Sequence, residues 1–189
     1  MSFKFNKLGI PDVVTIEPQS FSDNRGFFFE NFKESEFAQN GITGKFVQDN
    51  FSHSTYGVLR GLHYQKNPHA QAKLLSVLRG KIFDVAVDIR INSSTFGKWI
   101  GEIISEEDHK LIYIPEGFAH GFCVLSNEAD VLYKVTSEYS PNDEMGIIWN
   151  DPDINITWPI DKPILHEKDS CLPFLKNTDN NFSIYTKDK

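Results

Sequence analysis

Apolar and polar residues alternate with a period of two along much of this chain. In "KIFDVAVDIR" Phe83, Val85, Val87 and Ile89 fall on one side and Asp84, Ala86 and Asp88 on the other, the pattern of a half-buried strand. Arg79-Gly80, between "KLLSVL" and that run, reads as the turn of a hairpin, with a bulge as the alternative for the glycine. Similar short runs recur at "VVTIEP", "KFVQDNF", "VLRGLHYQ", "KWIGEIIS", "KLIYIP", "GFCVLS" and "DVLYKVTSEY", separated by Gly, Pro, Asn, Asp and Ser. Many short strands with turn residues between them predict an all-β sandwich or barrel. One short helix is expected at "KESEFAQNG", with Gly41 as its stop. Beyond "PDINITWPIDKPILHEKDS" the chain turns to Pro, Asp, Asn and Lys and should wrap the domain with little regular structure. No internal repeat is visible, and 189 residues suit a single domain.

"VLRGLHYQ" departs from plain alternation by carrying three polar side chains. On a regular strand Leu59, Gly61, His63 and Gln65 share one face, and Val58, Arg60, Leu62 and Tyr64 the other. Arg60 and His63 then diverge, and they serve one site only if the backbone twists or bulges at Gly61, or if one lies at the site's edge. The plainer alternative is a core histidine and a surface arginine. "DNRGFFFE" places Arg25 and Glu30 at the ends of a turn and an aromatic run, and "FVQDN" offers Gln48, Asp49 and Asn50. "IPEGFAHGF" contributes His120, "VLYKVTSEY" contributes Tyr133, and "LHEKD" contributes Lys168 and Asp169. Each of these has an ordinary reading as a turn, a core position or a solvated charge run.

Composition narrows the function. With 19 Lys and Arg against 26 Asp and Glu the net charge is -7, which argues against a nucleic-acid grip through phosphates. An anionic ligand would instead be met by a few placed cations, which singles out arginines beside apolar runs. The 25 aromatic rings favour strands and can line a pocket for a flat ligand. Cys123 and Cys171 form no C-x-x-C pair, "MSFKFNKLGIPDVV" lacks a signal peptide's apolar stretch, and no apolar run approaches a membrane span. A cytoplasmic protein without a membrane segment is expected.

Taken in order, "RGLHYQ", "IFDVAVD", "IPEGFAHGF", "VLYK", "GIIWNDPDINITWP" and "EKD" resemble the dTDP-4-dehydrorhamnose 3,5-epimerase family, over most of the chain from about "TIEPQSFSDNRGFFFE" to "EKD". The resemblance implies a cupin-type jelly roll, a homodimer that exchanges N-terminal strand segments, and a 4-keto-6-deoxy sugar on a nucleoside diphosphate as substrate. It makes His63 the proton-abstracting base, Asp169 its partner, Tyr133 the proton donor, and Lys73 of "AKLL" the group near the keto oxygen. It places Arg25, Arg60 and Lys168 on the phosphates or nearby sugar and Tyr139 on the nucleobase. Glu30, Gln48, Asp49, Asn50, His120 and Glu144 complete the implied binding surface. "EMGIIW" lacks the arginine that many relatives carry after the glutamate, and "AQAKL" lacks a glycine common before the lysine.

That cast fits the chemistry. A C–H beside a carbonyl is a weak acid, so a base needs a cation or donor at the oxygen where enolate charge develops. Inversion also needs a second group on the opposite face, because a proton returned by the same base restores the original configuration. No cofactor is expected. Many cupins bind metal through H-x-H and a later histidine, but residue 65 is Gln, so no metal is expected either. The alternatives are inversion at C3 alone, a 3,4-ketoisomerase, and a non-catalytic sugar-nucleotide-binding cupin. All but the last begin by enolising the same ketone.

Overall fold

The computed structural model describes residues 2–184, and in it the alternating runs pair into two antiparallel sheets with one separate hairpin. The chain begins with β1 (Phe3–Lys7), β2 (Val14–Pro18), β3 (Phe21–Asp23) and β4 (Gly26–Phe28), followed by helix α1 (Glu34–Gln39). Next come β5 (Gln48–Thr55), β6 (Leu59–Gln65), β7 (Lys73–Arg79), β8 (Lys81–Asp88) and β9 (Trp99–Ser105). β10 (Leu111–Ile114), β11 (Phe118–Val124), β12 (Glu128–Val135) and β13 (Glu144–Gly146) complete the strands, and the short helix α2 (Glu167–Ser170) follows. The six-stranded sheet runs β1-β2-β10-β7-β12-β5 and the five-stranded sheet runs β13-β6-β11-β8-β9, while β3 pairs only with β4. This is the all-β sandwich that the alternation predicts, in the jelly-roll form that the family resemblance implies.

Three apolar layers hold it together. Between the sheets, Leu75, Val77, Ile112 and Val131 meet Ile82, Ala86, Phe118 and Phe122. On the outer face of the six-stranded sheet, Phe37 of α1 is fully buried against Ile16, Leu74 and Leu111. The helix stops where predicted: Gly41 takes φ +86°, its N–H donates to the Ala38 carbonyl, and the Ile42 N–H donates to that of Phe37.

Two local expectations are corrected. β8 is not half-buried, because Val85, Val87 and Ile89 lie under Ile154, Trp158 and Phe182 while Ile82 and Ala86 face the inter-sheet core. Each such side chain gains roughly 1.5–3 kcal/mol from burial, and the strand's aspartates must then find partners inside. Asp88 accepts from Ser93 and Thr95, each at 2.6 Å, and from Arg90 at 2.7 Å. Nor is Arg79-Gly80 a hairpin turn: β7 belongs to one sheet and β8 to the other, so Gly80 carries the chain between layers. Its φ is +81°, and a Cβ there would stand 2.1 Å from the Glu128 carbonyl oxygen.

Candidate active site

The three polar residues of "RGLHYQ" are sorted by a bulge. His120 pairs with His63 and Phe122 with Arg60, so Gly61 and Leu62 together oppose the single residue Gly121. Only glycine fits this bulge: Gly61 has φ +131°, and a Cβ would meet the Gly121 Cα at 2.5 Å and the His120 oxygen at 2.8 Å. The extra residue turns Arg60 and His63 toward one cavity and sends Leu62 into the outer core. Gln65 is occupied with architecture, donating to the His69 carbonyl at 2.7 Å and accepting from the Ser140 N–H at 2.8 Å.

One wall of the cavity carries a histidine–carboxylate pair. His63 Nε2 lies 2.8 Å from Asp169 Oδ1, and Asp169 Oδ2 accepts from the Gly61 N–H at 3.3 Å. Asp169 is buried. Burial alone would raise its pKa, but the hydrogen bond and charge of His63, with the Gly61 amide, outweigh this and hold the carboxyl below its ordinary value. α2 brings Asp169 there. The segment before it is tied to β6, with the Leu59 N–H donating to the Ile164 carbonyl at 2.9 Å and the Ile164 N–H to that of Gly57 at 2.8 Å. His166 then caps the helix, its Nδ1 accepting from the Lys168 N–H at 3.2 Å.

The facing wall belongs to the other sheet. On β12 Tyr133 is directly opposite Asn50 of β5, and Val135 is opposite Lys73 of β7, so Tyr133, Asn50 and Lys73 share a face. Burial pushes the Tyr133 phenol up, with the charge of Arg60 partly opposing it, so the hydroxyl keeps its proton. Burial also pulls the Lys73 ammonium down to about 8, against the charge of Asp84. The cavity between the walls measures about 530 Å³.

Its rim is polar. Arg60 is held by Nε donating to Ser54 Oγ at 2.9 Å. The Tyr139 hydroxyl donates to Glu144 at 2.9 Å, and its N–H donates to Gln48 Oε1 at 2.9 Å, leaving the ring half exposed. Lys168 sits 3.7 Å from Glu144. His120 Nε2 is 2.8 Å from Asp84 Oδ2, both residues buried.

Of the predicted site residues, His63, Tyr133, Asp169, Lys73, Gln48, Asn50, Arg60, His120, Tyr139, Glu144 and Lys168 all line this cavity. Three do not. Alternation along β5 turns Asp49 outward, where Lys134 pairs with it at 3.0 Å. Arg25 sits at the exposed tip of the β3–β4 hairpin, bonded to Asp23, and Glu30 follows that hairpin with Oε2 buried and unpaired. Sequence reasoning missed Ser52 and His166, which line the cavity, and Asp84, which stands behind His120. Ser52 continues the Gln48, Asn50 period on β5 and His166 adjoins "EKD", so both were within reach of the pattern. Asp84 was visible only as a polar residue in a strand misread as half exposed. Among the described residues, no three His, Cys, Asp or Glu side chains cluster as a metal site.

Comparison with known proteins places this geometry. The family model for dTDP-4-dehydrorhamnose 3,5-epimerase matches residues 7–177. The chain belongs to that family. It is 55% identical over 164 residues to the dTDP-4-dehydrorhamnose 3,5-epimerase of Shigella flexneri, covering 86% of this chain and 91% of the relative. A dTDP-6-deoxy-D-glucose-3,5-epimerase from Legionella pneumophila, solved with dTDP-4-keto-L-rhamnose, superposes with a TM-score of 0.90 at 47% identity. That match covers 93% of this chain and 94% of the other. A 3'-monoepimerase from Streptomyces bikiniensis, solved with dTDP-quinovose, superposes with a TM-score of 0.84 at 35% identity, covering 89% and 86%.

Proposed function

We infer that this protein is an isomerase that inverts C3 and C5 of dTDP-4-dehydro-6-deoxy-D-glucose to give dTDP-4-dehydro-L-rhamnose, on the route to dTDP-L-rhamnose. The observation that carries the chemistry is the placement of His63 and Tyr133 on opposing sheets across one cavity. His63, held by Asp169, takes the proton beside the ketone. The carboxylate fixes the imidazole's tautomer and stabilises its charged form. Lys73 meets the enolate charge on the keto oxygen. Tyr133, a phenol kept protonated by burial, returns a proton to the face away from His63. Once solvent has taken the proton from His63 and returned one to Tyr133, repeating the cycle at the second carbon completes the reaction.

Arg60 and Lys168 suit the diphosphate, because a guanidinium presents a planar fork of donors and an ammonium a point charge. The exposed ring of Tyr139 suits the nucleobase, and Gln48, Asn50, Glu144 and His120 offer the remaining polar contacts. Arg25 and Glu30 reach a site only in a second subunit, so the working form is a homodimer with exchanged N-terminal hairpins. Phe27 and Phe28, each 60% exposed on that hairpin, and Phe51, 61% exposed on edge strand β5, support this. The free thiols Cys123 and Cys171 accord with a reducing, cytoplasmic setting.

Incubation with dTDP-4-keto-6-deoxyglucose in deuterated water, followed by NMR, tests the reading. Label at both C3 and C5 with rhamno-configured product is expected. Label at C3 alone would make the protein a monoepimerase, and no label would make it a binding protein.

A further inference from the structure

Asp84 is an anomaly of this sandwich. It stands on β8, the strand buried on both faces, and none of its surface is exposed. One carboxylate oxygen faces His120 Nε2 at 2.8 Å, while the other, Oδ1, is buried without a hydrogen-bond partner. A buried oxygen left unpaired costs about 1–3 kcal/mol, so an isosteric apolar residue would serve the fold better unless the charge itself is used. The register shows what surrounds it. Asp84 pairs with Phe122 and Ala86 pairs with His120, so Asp84 and His120 are diagonal neighbours on the inward face of the five-stranded sheet. Lys73, buried on the six-stranded sheet, lines the same cavity as His120, the residue that Asp84 holds, and the charge of Asp84 opposes the effect of burial on its ammonium.

We propose that Asp84 is a positioning residue for the epimerisation, a buried counter-charge shared by Lys73 and His120 that holds the ammonium charged and the imidazole oriented at the cavity wall. The inference rests on the epimerase reading given above. A carboxylate accepts but cannot donate, so His120 must carry its proton on Nε2, which fixes the tautomer and leaves Nδ1 as the ring's other polar atom. For Lys73 the balance is between burial, which favours the neutral amine, and the charge of Asp84, which opposes it. The other titratable and charged groups lining the cavity are Arg60, His63 and Tyr64 of β6, His120 of β11, Tyr133 of β12 and Glu144 of β13, with Tyr139, His166, Lys168 and Asp169 from the loops and α2. Glu144 is committed to Tyr139 and Lys168, and the carboxylate of Asp169 is committed to His63. Asp84 is therefore the carboxylate placed to offset the burial of Lys73. An amine that lost its proton could no longer neutralise an enolate, so the charge of Asp84 sets the upper pH at which the enzyme works.

The test is the pH dependence of kcat/KM, which reports groups of the free enzyme. Wild type should lose activity as pH rises through about 8, where Lys73 deprotonates. Asp84→Asn keeps the shape and an acceptor for His120 but removes the charge, so its alkaline limb should fall at a pH lower by about one unit or more. Asp84→Ser should move the limb the same way, and Asp84→Glu should restore it. Binding of dTDP and the melting temperature monitor the fold. A limb that stays in place while activity drops equally at all pH values would make Asp84 merely structural and overturn the proposal. So would loss of fold in both charge-free variants with Asp84→Glu intact. Absence of wild-type turnover would instead overturn the epimerase reading itself, and the two failures are thus distinguishable.

Discussion

An imidazole with one nitrogen committed to a buried carboxylate keeps the other for the substrate, and this division of labour makes the roles of single residues separable. In the proposed mechanism His63 works on protons, with Nε2 held by Asp169 at 2.8 Å, and has no part in holding the phosphates. Truncation to alanine should lower kcat by about 10²–10⁴-fold while dTDP affinity, measured by calorimetry, stays nearly unchanged. A parallel loss of nucleotide binding would remove His63 from its role as base. Tyr133 should behave differently, because in the proposed mechanism it acts after the proton has left. Tyr133→Phe keeps the ring and its packing against the core, so deuterium should still exchange into recovered substrate while rhamno-configured product falls sharply. Product formation at the wild-type rate would show that the proton comes from elsewhere.

The elements turn these residues into a site, and β6 does most of this through its bulge. Gly61→Ala would force a Cβ into the backbone of both Gly121 and His120 at a φ of +131°. We expect destabilisation on the order of 2–5 kcal/mol, from backbone strain plus overpacking, checked by urea denaturation. Activity should be lost even where the fold survives, since Arg60 and His63 would splay apart. A fully active Gly61→Ala variant would rule the bulge out as the device that gathers them. This element also marks the limit of what the sequence discloses. Period two identified most of the longer strands, and the Gly41 stop was readable because helix C-termini have local chemistry. The very short β3, β4 and β13 carry too few residues for a period to show. Sheet membership is non-local, which is why Gly80 passed for a hairpin turn and why Asp84 hid in a strand whose outer face is covered by residues some seventy positions later. The motifs carried most of the cavity, because family resemblance records three-dimensional neighbours that alternation cannot. Asp49 shows the converse: it is adjacent in sequence to two cavity residues, and strand geometry turns it away.

At the scale of the whole molecule, the proposed function requires more than one chain to complete a site. Arg25 lies on a hairpin that pairs only with itself and presents Phe27 and Phe28 to the outside. Its cation is spent on Asp23 in a fully exposed pair, an interaction of the kind worth little in water and readily exchanged for a phosphate. In the proposed dimer a partner subunit would offer what the hairpin lacks: a surface for its phenylalanines and a diphosphate for its arginine. The exchange makes a prediction that no single-chain arrangement shares. Subunits carrying Arg25→Ala or His63→Ala should each be nearly inactive alone. In a mixed dimer, one site combines the intact His63 of the first chain with the intact Arg25 of the second, while the other site lacks both. Random assembly makes about half of the dimers mixed with one working site in two, so co-expression should restore roughly a quarter of wild-type activity. If Arg25 serves the site of its own chain, every site in every dimer lacks one essential group. Co-expressed protein would then show no more activity than the two mutants measured apart.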